Sequence, residues 1–363
     1  MRKVTGLTAL GGRGVRRPSV GPNSSERPNT FRGFRLKRRA FLAMLPGSLL
    51  ATSLAAEAQP VGRIAFLCAD SCVSLPATQR PTDRPFLRGL EGGGYTLGRN
   101  ASVDTVGVGV GYHRLREAAD GLLKRKAHVI VAIGNAEARA ARQATRTTPI
   151  VMLNVVDPVE EGLVASLARP GGNVTGLAVP FDQLAIKQIE LLKELQPRLT
   201  RLAVFWSPLT GLHKQRLARL EVAARSMGVT TYPVEITTFR DMDKTFSSLP
   251  APIDGLLALE PLATGGMTRS EISKLALRHR LPSVASDRGW VDAGGLTAYG
   301  PNPEDQYERA GAYAAKLLRG TSPRDVPVEE PTRFELIISK TTAGALSLTI
   351  PPSLLHRADR VIE

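Results

Sequence analysis

Two acidic and two aromatic residues in the second half of the sequence stand where buried strands are predicted to end. Glu260 and Asp287 follow short apolar runs, and Trp206 and Trp290 lie at or just after such runs. Carboxylates pair with ammonium groups, and an aromatic face packs against a cation or an apolar ligand body. These residues therefore predict a binding site for an ammonium-bearing solute. Trp206 fits equally well as a core anchor, and the acids as solvated loop residues.

A second candidate site is the junction Gly134-Asn135-Ala136, between the apolar run 129–133 and the helical pattern that follows it. The first N–H groups of a helix have no partner within the helix, and the helix dipole adds partial positive charge there. Such a junction suits an anion. We therefore expect the ligand carboxylate here. The alternative is an ordinary Asn N-cap, which many α/β proteins contain.

Asn154 and Asp157 follow the apolar run 150–153, whose length and β-branched content are typical of a buried parallel strand. Open α/β sheets bind their ligands at the carboxyl ends of such strands, so both residues are candidate ligand contacts. Pro158 fits the first turn of a helix, which predicts that Asp157 is also the N-cap of a helix. That helix would lead into a second strand over 173–179.

Other kinds of site are disfavoured by residue spacing. The five histidines are dispersed, and the two cysteines, Cys68 and Cys72, have no second pair of metal ligands near them. No phosphate-binding loop, dinucleotide fingerprint, zinc-protease motif or serine-hydrolase motif occurs. We therefore predict no catalytic residue, no metal and no cofactor. The cysteines either form a small-loop disulfide in an oxidising compartment, or Cys68 is simply a small buried residue.

The net charge of +15 is unevenly distributed. Residues 1–58 hold eleven Lys and Arg and two Glu, so they account for +9 and leave +6 for the rest of the chain. A basic surface on the folded part would indicate nucleic-acid binding. Because most of the excess lies in the first 58 residues, we expect no nucleic-acid partner for the mature protein.

The basic excess belongs to a predicted export signal. Four basic residues, Arg35, Lys37, Arg38 and Arg39, precede an apolar run over 40–56, and Ala56-Glu57-Ala58 matches the small-residue pattern of a signal-peptidase site. We therefore expect a periplasmic protein that starts at Gln59. The segment 38–42, RRAFL, resembles a twin-arginine signal, and an ordinary secretion signal is the alternative. No cysteine follows the apolar run, so no lipid anchor is predicted.

The elements that must position these residues are also indicated by the sequence. From Arg63 onward, short apolar runs alternate with helical patterns through both halves of the chain. This alternation is typical of parallel sheets covered by helices, and 363 residues exceed what a single small core supports. The prediction is an α/β protein with two doubly wound parallel-sheet lobes.

Several separate motifs, in order along the chain, resemble the substrate-binding proteins of ABC transporters, the family that includes tryptophan- and tyrosine-binding lipoproteins. The resemblance extends from about Gly62 to the last residue. Its motifs are GLEGGGYTLGRN (89–100), AARQATRTTPIVM (140–152), DPVEEGLVASLARPGGNVTGL (157–177), AGGLTAYGPN (293–302), PTRFELIISKTTAGALSLTIPPSLL (331–355) and RADRVIE (357–363).

The resemblance implies a periplasmic-binding-protein fold of type I, in which the chain crosses between two lobes three times. The leader would be 1–58, the first lobe 59–176 with 302–330, and the second lobe 177–301 with 331–363. It also implies a monomeric receptor without catalytic activity. The receptor would close on a small ligand, an amino acid or related carboxylate, and deliver it to ABC permease subunits. Characterised ligands of the family are aromatic amino acids.

Two other functions are alternatives. An exported α/β hydrolase-like enzyme would use Asp157 with a histidine, but no histidine lies near a predicted strand end in the required relation. A sensor module of a signalling protein shares the fold. Such a module is expected to continue into a transmembrane helix, whereas the sequence ends at Glu363.

Overall fold

The computed structural model describes residues 61–68, 83–108, 112–208, 214–237, 242–250, 252–259 and 266–363. These residues belong to one compact unit, which spans residues 55–363. The predicted export signal and its cleavage site, Cys72 and Glu260 lie outside the described residues.

Strands and helices alternate along the described chain, as the sequence predicts. The strands are β1 (Gly62–Cys68), β2 (Ala101–Gly107), β3 (Val129–Ile133), β4 (Ile150–Val156), β5 (Val174–Val179), β6 (Arg201–Trp206), β7 (Thr230–Glu235), β8 (Gly255–Ala258), β9 (Ser283–Ala285), β10 (Thr297–Pro301), β11 (Phe334–Ser339) and β12 (Arg360–Ile362). The α-helices are α1 (Asp83–Gly92), α2 (Leu115–Lys124), α3 (Asn135–Ala144), α4 (Phe181–Leu195), α5 (Lys214–Ser226), α6 (Met242–Ser247), α7 (Gly266–Arg278), α8 (Arg288–Asp292), α9 (Pro303–Leu318), α10 (Lys340–Ala345) and α11 (Pro352–Arg357).

The first sheet has the order β2-β1-β3-β4-β5, and every neighbouring pair in it is parallel. Its strands are continuous apolar runs because both faces are covered. Leu122 of α2 and Ala138 of α3 pack on one face, and Phe86 of α1 and Ala314 of α9 pack on the other. This sheet and its four helices form lobe 1.

The second sheet has the order β12-β11-β10-β9-β8-β6-β7. All of its pairs are parallel except β10 with β11, which is antiparallel. Residues of α4, α5, α10 and α11 pack against one face, and residues of α6, α7 and α8 against the other. These elements form lobe 2, so the prediction of two α/β lobes is confirmed.

The chain passes between the two sheets three times, from β5 to α4, from β10 to α9, and from residues 326–330 to β11. Helix α9 packs mainly on α1 and therefore belongs to lobe 1. The first crossing comes later than the predicted domain boundary at residue 176, because β5 stays in the first sheet up to Val179.

The predicted helix after Asp157 is wrong. Asp157 has φ = 43°, and one helical turn forms, closed by a hydrogen bond from Glu161 N to Asp157 O (3.1 Å). Gly162 then adopts φ = 66°, which ends the turn. The buried side chain of Leu163 packs into the core of lobe 1, and its N–H bonds back to Pro158 O (2.9 Å). The segment is therefore a compact turn rather than a helix.

Cys68 ends β1 inside the core of lobe 1 and is disulfide-bonded. Cys72, the other cysteine of the sequence, lies outside the described residues. Cys68 thus combines both expectations, because it is buried and it is also oxidised.

Candidate ligand-binding site

Each sheet has one place where the strand order reverses, between β1 and β3 in lobe 1 and between β6 and β8 in lobe 2. Open α/β sheets bind ligands at the carboxyl ends of the strands beside such a place. In lobe 1 this position is the junction Gly134–Ala136, directly after β3, and in lobe 2 it is the end of β6 at Trp206. The segments that follow Cys68 and Leu259, including Glu260, lie outside the described chain.

The carboxyl end of β4 is distorted in a way that presents Asn154. The register of β4 with β5 shifts between Met152 and Val155, and Asn154 within this bulge has φ = 56° and is exposed. Across the ladder, Gly176 has φ = 130°, and a Cβ there would lie 2.2 Å from Met152 O. Left-handed conformations of non-glycine residues concentrate at functional sites. The bulge therefore turns the Asn154 side chain away from the core at the sheet edge.

Asn135 is used to fix the end of β4. Its Nδ2 donates to Val156 O (2.8 Å), and Val156 N donates to its Oδ1 (2.9 Å). The side chain is buried, at 7% exposure, so both polar atoms serve the fold. Gly134 N donates to Leu153 O (2.9 Å). Of the predicted junction site, only the first N–H groups of α3, at Asn135 and Ala136, remain as candidate donors to a ligand.

A carboxylate of the protein itself stands at the start of α3. Glu137 is buried, and its Oε2 is 2.7 Å from the position that a Cβ on Gly134 would occupy. Acidic groups are stabilised by the positive end of a helix dipole. The anion-binding capacity predicted for this junction is therefore at least partly satisfied within the chain, a feature that the sequence analysis did not anticipate.

The turn 157–161, hereafter the acidic turn, contacts lobe 2 through Arg216 of α5. Arg216 Nε lies 3.2 Å from Asp157 Oδ2 and 3.6 Å from Glu160 Oε2, and its Nη2 lies 3.6 Å from Glu161 Oε1. The side chains of Arg216 and Glu161 are only 1% and 2% exposed. A fully buried arginine of one lobe is thus surrounded by three carboxylates of the other.

Further arginines flank this contact. Arg219 lies one helical turn after Arg216, and its Nη2 is 3.3 Å from Glu160 Oε2 while its Nε bonds to Asp182 Oδ2 (3.0 Å). Arg139 of lobe 1 holds Glu161 at 2.6 Å. The cluster therefore mixes pairs within each lobe with pairs between them.

Burial raises the pKa of Asp157, and the neighbouring carboxylates of Asp182 and Glu160 raise it further, whereas Arg216 and Arg219 oppose the shift. Burial lowers the pKa of Arg219, but Asp182 and Glu160 outweigh it, so the net shift is upward.

The predicted residues of lobe 2 have mainly structural surroundings. Asp287 is the N-cap of α8, and its Oδ1 accepts from Gly289 N (2.8 Å). Trp290 is fully buried in the apolar core on the α6–α8 face, away from solvent, which is the place of a packing residue. Trp206 is 4% exposed and belongs to the core on the opposite face, as its alternative interpretation as a core anchor expects.

A small, mostly apolar pocket lies where strand ends of both lobes meet α4. Gln188 is buried beside it, and its Nε2 donates to Ser286 Oγ (3.1 Å) and Tyr299 O (2.8 Å). The pocket is lined by Val156, Val179, Phe181, Leu184, Ala185, Gln188, Leu259 and Ser286.

Sequence reasoning missed Glu137, Gln188 and Arg216. For Arg216 a signal was available, because the buried positions of α5 include Arg216, Leu220 and Ala224, spaced by four. A charge that falls in register with an apolar stripe is oriented toward the interior of the protein. Arg216 therefore stood out from the other arginines of this helix.

Within the described ranges, no group of three or more His, Cys, Asp or Glu side chains is arranged to hold a metal ion. Over the same ranges, no helix is long and apolar enough to cross a membrane.

Comparison with known proteins identifies the family. Residues 73–362 match the family described as ABC transporter substrate binding protein. This chain belongs to that family. Members bind small molecules and work with the permease subunits of ABC transporters, so the chain is a solute-binding receptor of an ABC transport system.

Two kinds of relative illustrate the membership. The receptor is 33% identical over 265 residues to the tyrosine-binding protein of Clostridioides difficile (strain R20291), covering 72% of this chain and 75% of that protein. It superposes with a TM-score of 0.74 and 26% identity on a conserved domain protein from Vibrio cholerae, covering 83% of this chain and 99% of that one. A Streptococcus pneumonia ABC domain in complex with L-Trp gives a TM-score of 0.72 at 23% identity, with coverage of 83% and 99%.

Proposed function

We propose that this receptor binds a free amino acid or a closely related small carboxylate between its lobes and delivers it to an ABC importer. The observation that carries the proposal is the family match together with a tyrosine-binding relative that is 33% identical over most of both chains. The two sheet edges with their reversals of strand order supply the cleft. Closure of the lobes about the three crossings sequesters the ligand.

The polar groups at the two sheet edges suit a ligand that carries both a positive and a negative charge. Asn154 and Asp157 on lobe 1 offer acceptors, and the first N–H groups of α3, at Asn135 and Ala136, offer donors. On lobe 2 we retain Glu260 and Asp287 as ligand contacts. We leave Trp206 and Trp290 out, because their burial in the two cores of lobe 2 favours a packing role for both.

The receptor is proposed to act in the periplasm after removal of residues 1–58, as a monomer and without binding nucleic acid. It is also proposed to have no catalytic activity. Two histidines of the described chain support this view. His128 Nδ1 accepts from Arg63 N (3.3 Å), and His279 stacks on Phe246 with 5.3 Å between ring centroids. Both therefore have structural contacts, and neither is paired with a nucleophile in them.

Calorimetric titration with L-tyrosine, L-tyrosine amide and N-acetyl-L-tyrosine tests the proposal. The amide lacks the carboxylate and the acetylated compound lacks the ammonium, so each removes one recognised charge. We expect L-tyrosine to bind and each analogue to bind at least about thirtyfold more weakly, because a buried charge left without its partner costs about 2 kcal/mol or more. L-Tryptophan and L-phenylalanine, titrated in parallel, define the side-chain preference.

A variant pair locates the site. Asp157→Asn is expected to weaken amino-acid binding about tenfold or more, through loss of a partly buried charge. Asp120→Asn is the matched control, because Asp120 pairs only with Arg116 on the surface of α2 in the contacts of the described chain. Absence of binding by any amino acid would overturn the ligand class. Equal affinity of all three tyrosine compounds would overturn recognition by charge.

A further inference from the structure

Arg216 occupies an unusual position for a charged residue. Its side chain is 1% exposed, and its three carboxylate partners, Asp157, Glu160 and Glu161, all belong to lobe 1 although α5 belongs to lobe 2. Burying an arginine side chain is unfavourable unless its charge is balanced by partners. The burial of Arg216 and its pairing therefore both depend on the two lobes being in contact.

The geometry of the contact makes it reversible. Arg216 Nε and Nη2 form no hydrogen bond with any described residue, so the contact consists of close charges rather than aligned bonds. In a buried ion pair the desolvation penalty offsets much of the attraction. Such a contact leaves the open and closed forms of the receptor close in free energy, so that neither form is strongly favoured. A ligand with modest differential affinity can then decide the equilibrium.

The acidic turn is held ready within lobe 1. Glu161 is fixed by Arg139 at 2.6 Å, and the turn is closed by the hydrogen bond between Glu161 N and Asp157 O. On lobe 2, Asp182 holds Arg219. Each lobe therefore orders its own part before they meet, which reduces the entropy lost on closure.

We infer that Arg216 is the positioning residue that couples ligand binding to lobe closure, by inserting into the acidic turn of lobe 1 when the cleft shuts. The inference rests on the proposed receptor function and adds to it the residue that stabilises the closed form. Arg219 assists from the rim of the contact, where its side chain is 45% exposed.

The test compares Arg216→Met with Arg225→Met. Methionine keeps the length and apolar stem of arginine without its charge. Arg225 is the matched control on the same helix, because its side chain is 70% exposed and pairs with Glu221 of α5 itself. Without ligand, small-angle scattering is expected to give a larger radius of gyration for Arg216→Met than for wild type, and an unchanged radius for Arg225→Met.

Kinetics with L-tyrosine provide the second measurement. A closing contact acts after encounter, so Arg216→Met is expected to raise the dissociation rate about tenfold or more and to leave the association rate within about twofold. Arg216→Lys, which keeps the charge, is expected to recover part of the slow dissociation. If Arg216 had only a structural role, Arg216→Met would lower thermal stability, but it would not raise the dissociation rate of the ligand selectively over the association rate.

Glu160→Gln covers the case in which Arg216→Met does not fold. Glu160 is 36% exposed in its side chain, so its substitution leaves the core intact, and we expect dissociation about threefold faster. Unchanged scattering together with unchanged dissociation in the folded variants would overturn the inference. The scattering arm needs no ligand, so it still decides the role of Arg216 if L-tyrosine and other amino acids fail to bind and the proposed ligand class falls.

Discussion

The hinge of the receptor and its acidic turn join the same two lobes by different interactions. At the hinge, residues 326–330 run beside β5 and pair with it through an isolated parallel β-bridge between Leu177 and Glu329. Ala178 N bonds to Glu329 O (2.9 Å) and Glu329 N to Gly176 O (3.0 Å). Thr175 Oγ1 adds a bond to Val326 O (2.7 Å). At the acidic turn, Arg216 meets carboxylates at 3.2 to 3.6 Å without an aligned hydrogen bond.

The difference separates what stays fixed from what changes during binding. Neutral, aligned hydrogen bonds between segments that are already neighbours keep their geometry when the lobes rotate. Charged groups on different lobes are separated from each other and exposed to water when the lobes open. Their interaction energy therefore changes with opening. The hinge therefore sets where the lobes turn, and the acidic turn influences how often they close.

The largest effect is expected at Gly176, where the hinge and the β4 bulge meet. Gly176→Val adds a side chain where a Cβ would lie 2.2 Å from Met152 O, on a backbone with φ = 130°. We expect a loss of about 3 kcal/mol or more in the free energy of unfolding, measured by urea denaturation. Gly172→Ala is the control, since its nearest neighbour is a side-chain atom at 3.9 Å. Equal stability of the Gly176 variant and wild type would show that the bulge is not constrained as described.

The next effect concerns the support of the acidic turn. Asn135→Ala leaves the N–H and C=O of Val156 without their bonds, so we expect a loss of about 2 kcal/mol in the free energy of unfolding. Because β4 leads into Asp157, amino-acid binding should weaken as well. Asn173→Ala is the matched control, a buried asparagine of the same lobe whose Nδ2 bonds to Thr148 O (2.8 Å). It should lose stability but not affinity, and equal losses of affinity would contradict a specific role for Asn135.

A smaller effect is expected from Tyr313 of α9, which fastens the third crossing from lobe 1. Its hydroxyl donates to Pro327 O (2.7 Å). Tyr313→Phe keeps the ring and removes this bond, so the free energy of unfolding should fall by about 1 kcal/mol. Ligand dissociation should change little, since the closing contact is untouched. A tenfold faster dissociation in this variant would mean that the hinge, rather than the acidic turn, controls closure.

The smallest effects concern pH and have opposite signs in the two regions. Burial raises the pKa of Glu329, but Arg309 beside it outweighs burial and holds this pKa below the usual 4.5. Its contribution to stability is therefore present above pH 4.5 and lost as pH falls through the folded pKa. Burial raises the pKa of Asp157 above 3.8, so its contribution is present below 3.8 and lost as pH rises through the folded value.

Denaturation midpoints across the acid range check these signs. In a plot of the denaturation midpoint against pH, Glu329→Gln should weaken the rise of stability with increasing pH. Asp157→Asn should weaken the fall of stability with increasing pH. If both substitutions changed the pH dependence of stability in the same direction, one of the two assignments would be wrong: Glu329 as a carboxylate stabilised by its ion pair, or Asp157 as a carboxylate disfavoured by burial.

Much of the scaffold is predictable from the sequence because it depends on local patterns. Runs such as Val129–Ile133 are apolar throughout, which is typical of a strand that is covered on both faces. The segment after Asp157 was mispredicted because local rules favour a helix after Asp-Pro, whereas Gly162 and the burial of Leu163 turn the chain back. Tertiary packing decided that segment.

The candidate site is less predictable because its side chains acquire partners from distant segments. Asn135 looks like a free polar residue at a helix start, yet it bonds to Val156, 21 residues away. Trp290 follows a strand end but faces the core. Arg216 lies in register with the apolar stripe of α5, but its three carboxylate partners come from the other lobe. In each case the sequence specifies the residue type, and the fold assigns its partner.

Native mass spectrometry of the receptor purified from periplasm tests the central account most directly, because one spectrum weighs both the processed chain and any retained solute. The expected result is a chain that begins at Gln59, in complex with one small molecule of amino-acid mass that is lost under denaturing conditions. Recovery of the full-length chain from the cytoplasm, without a bound small molecule and without binding of added amino acids, would contradict it.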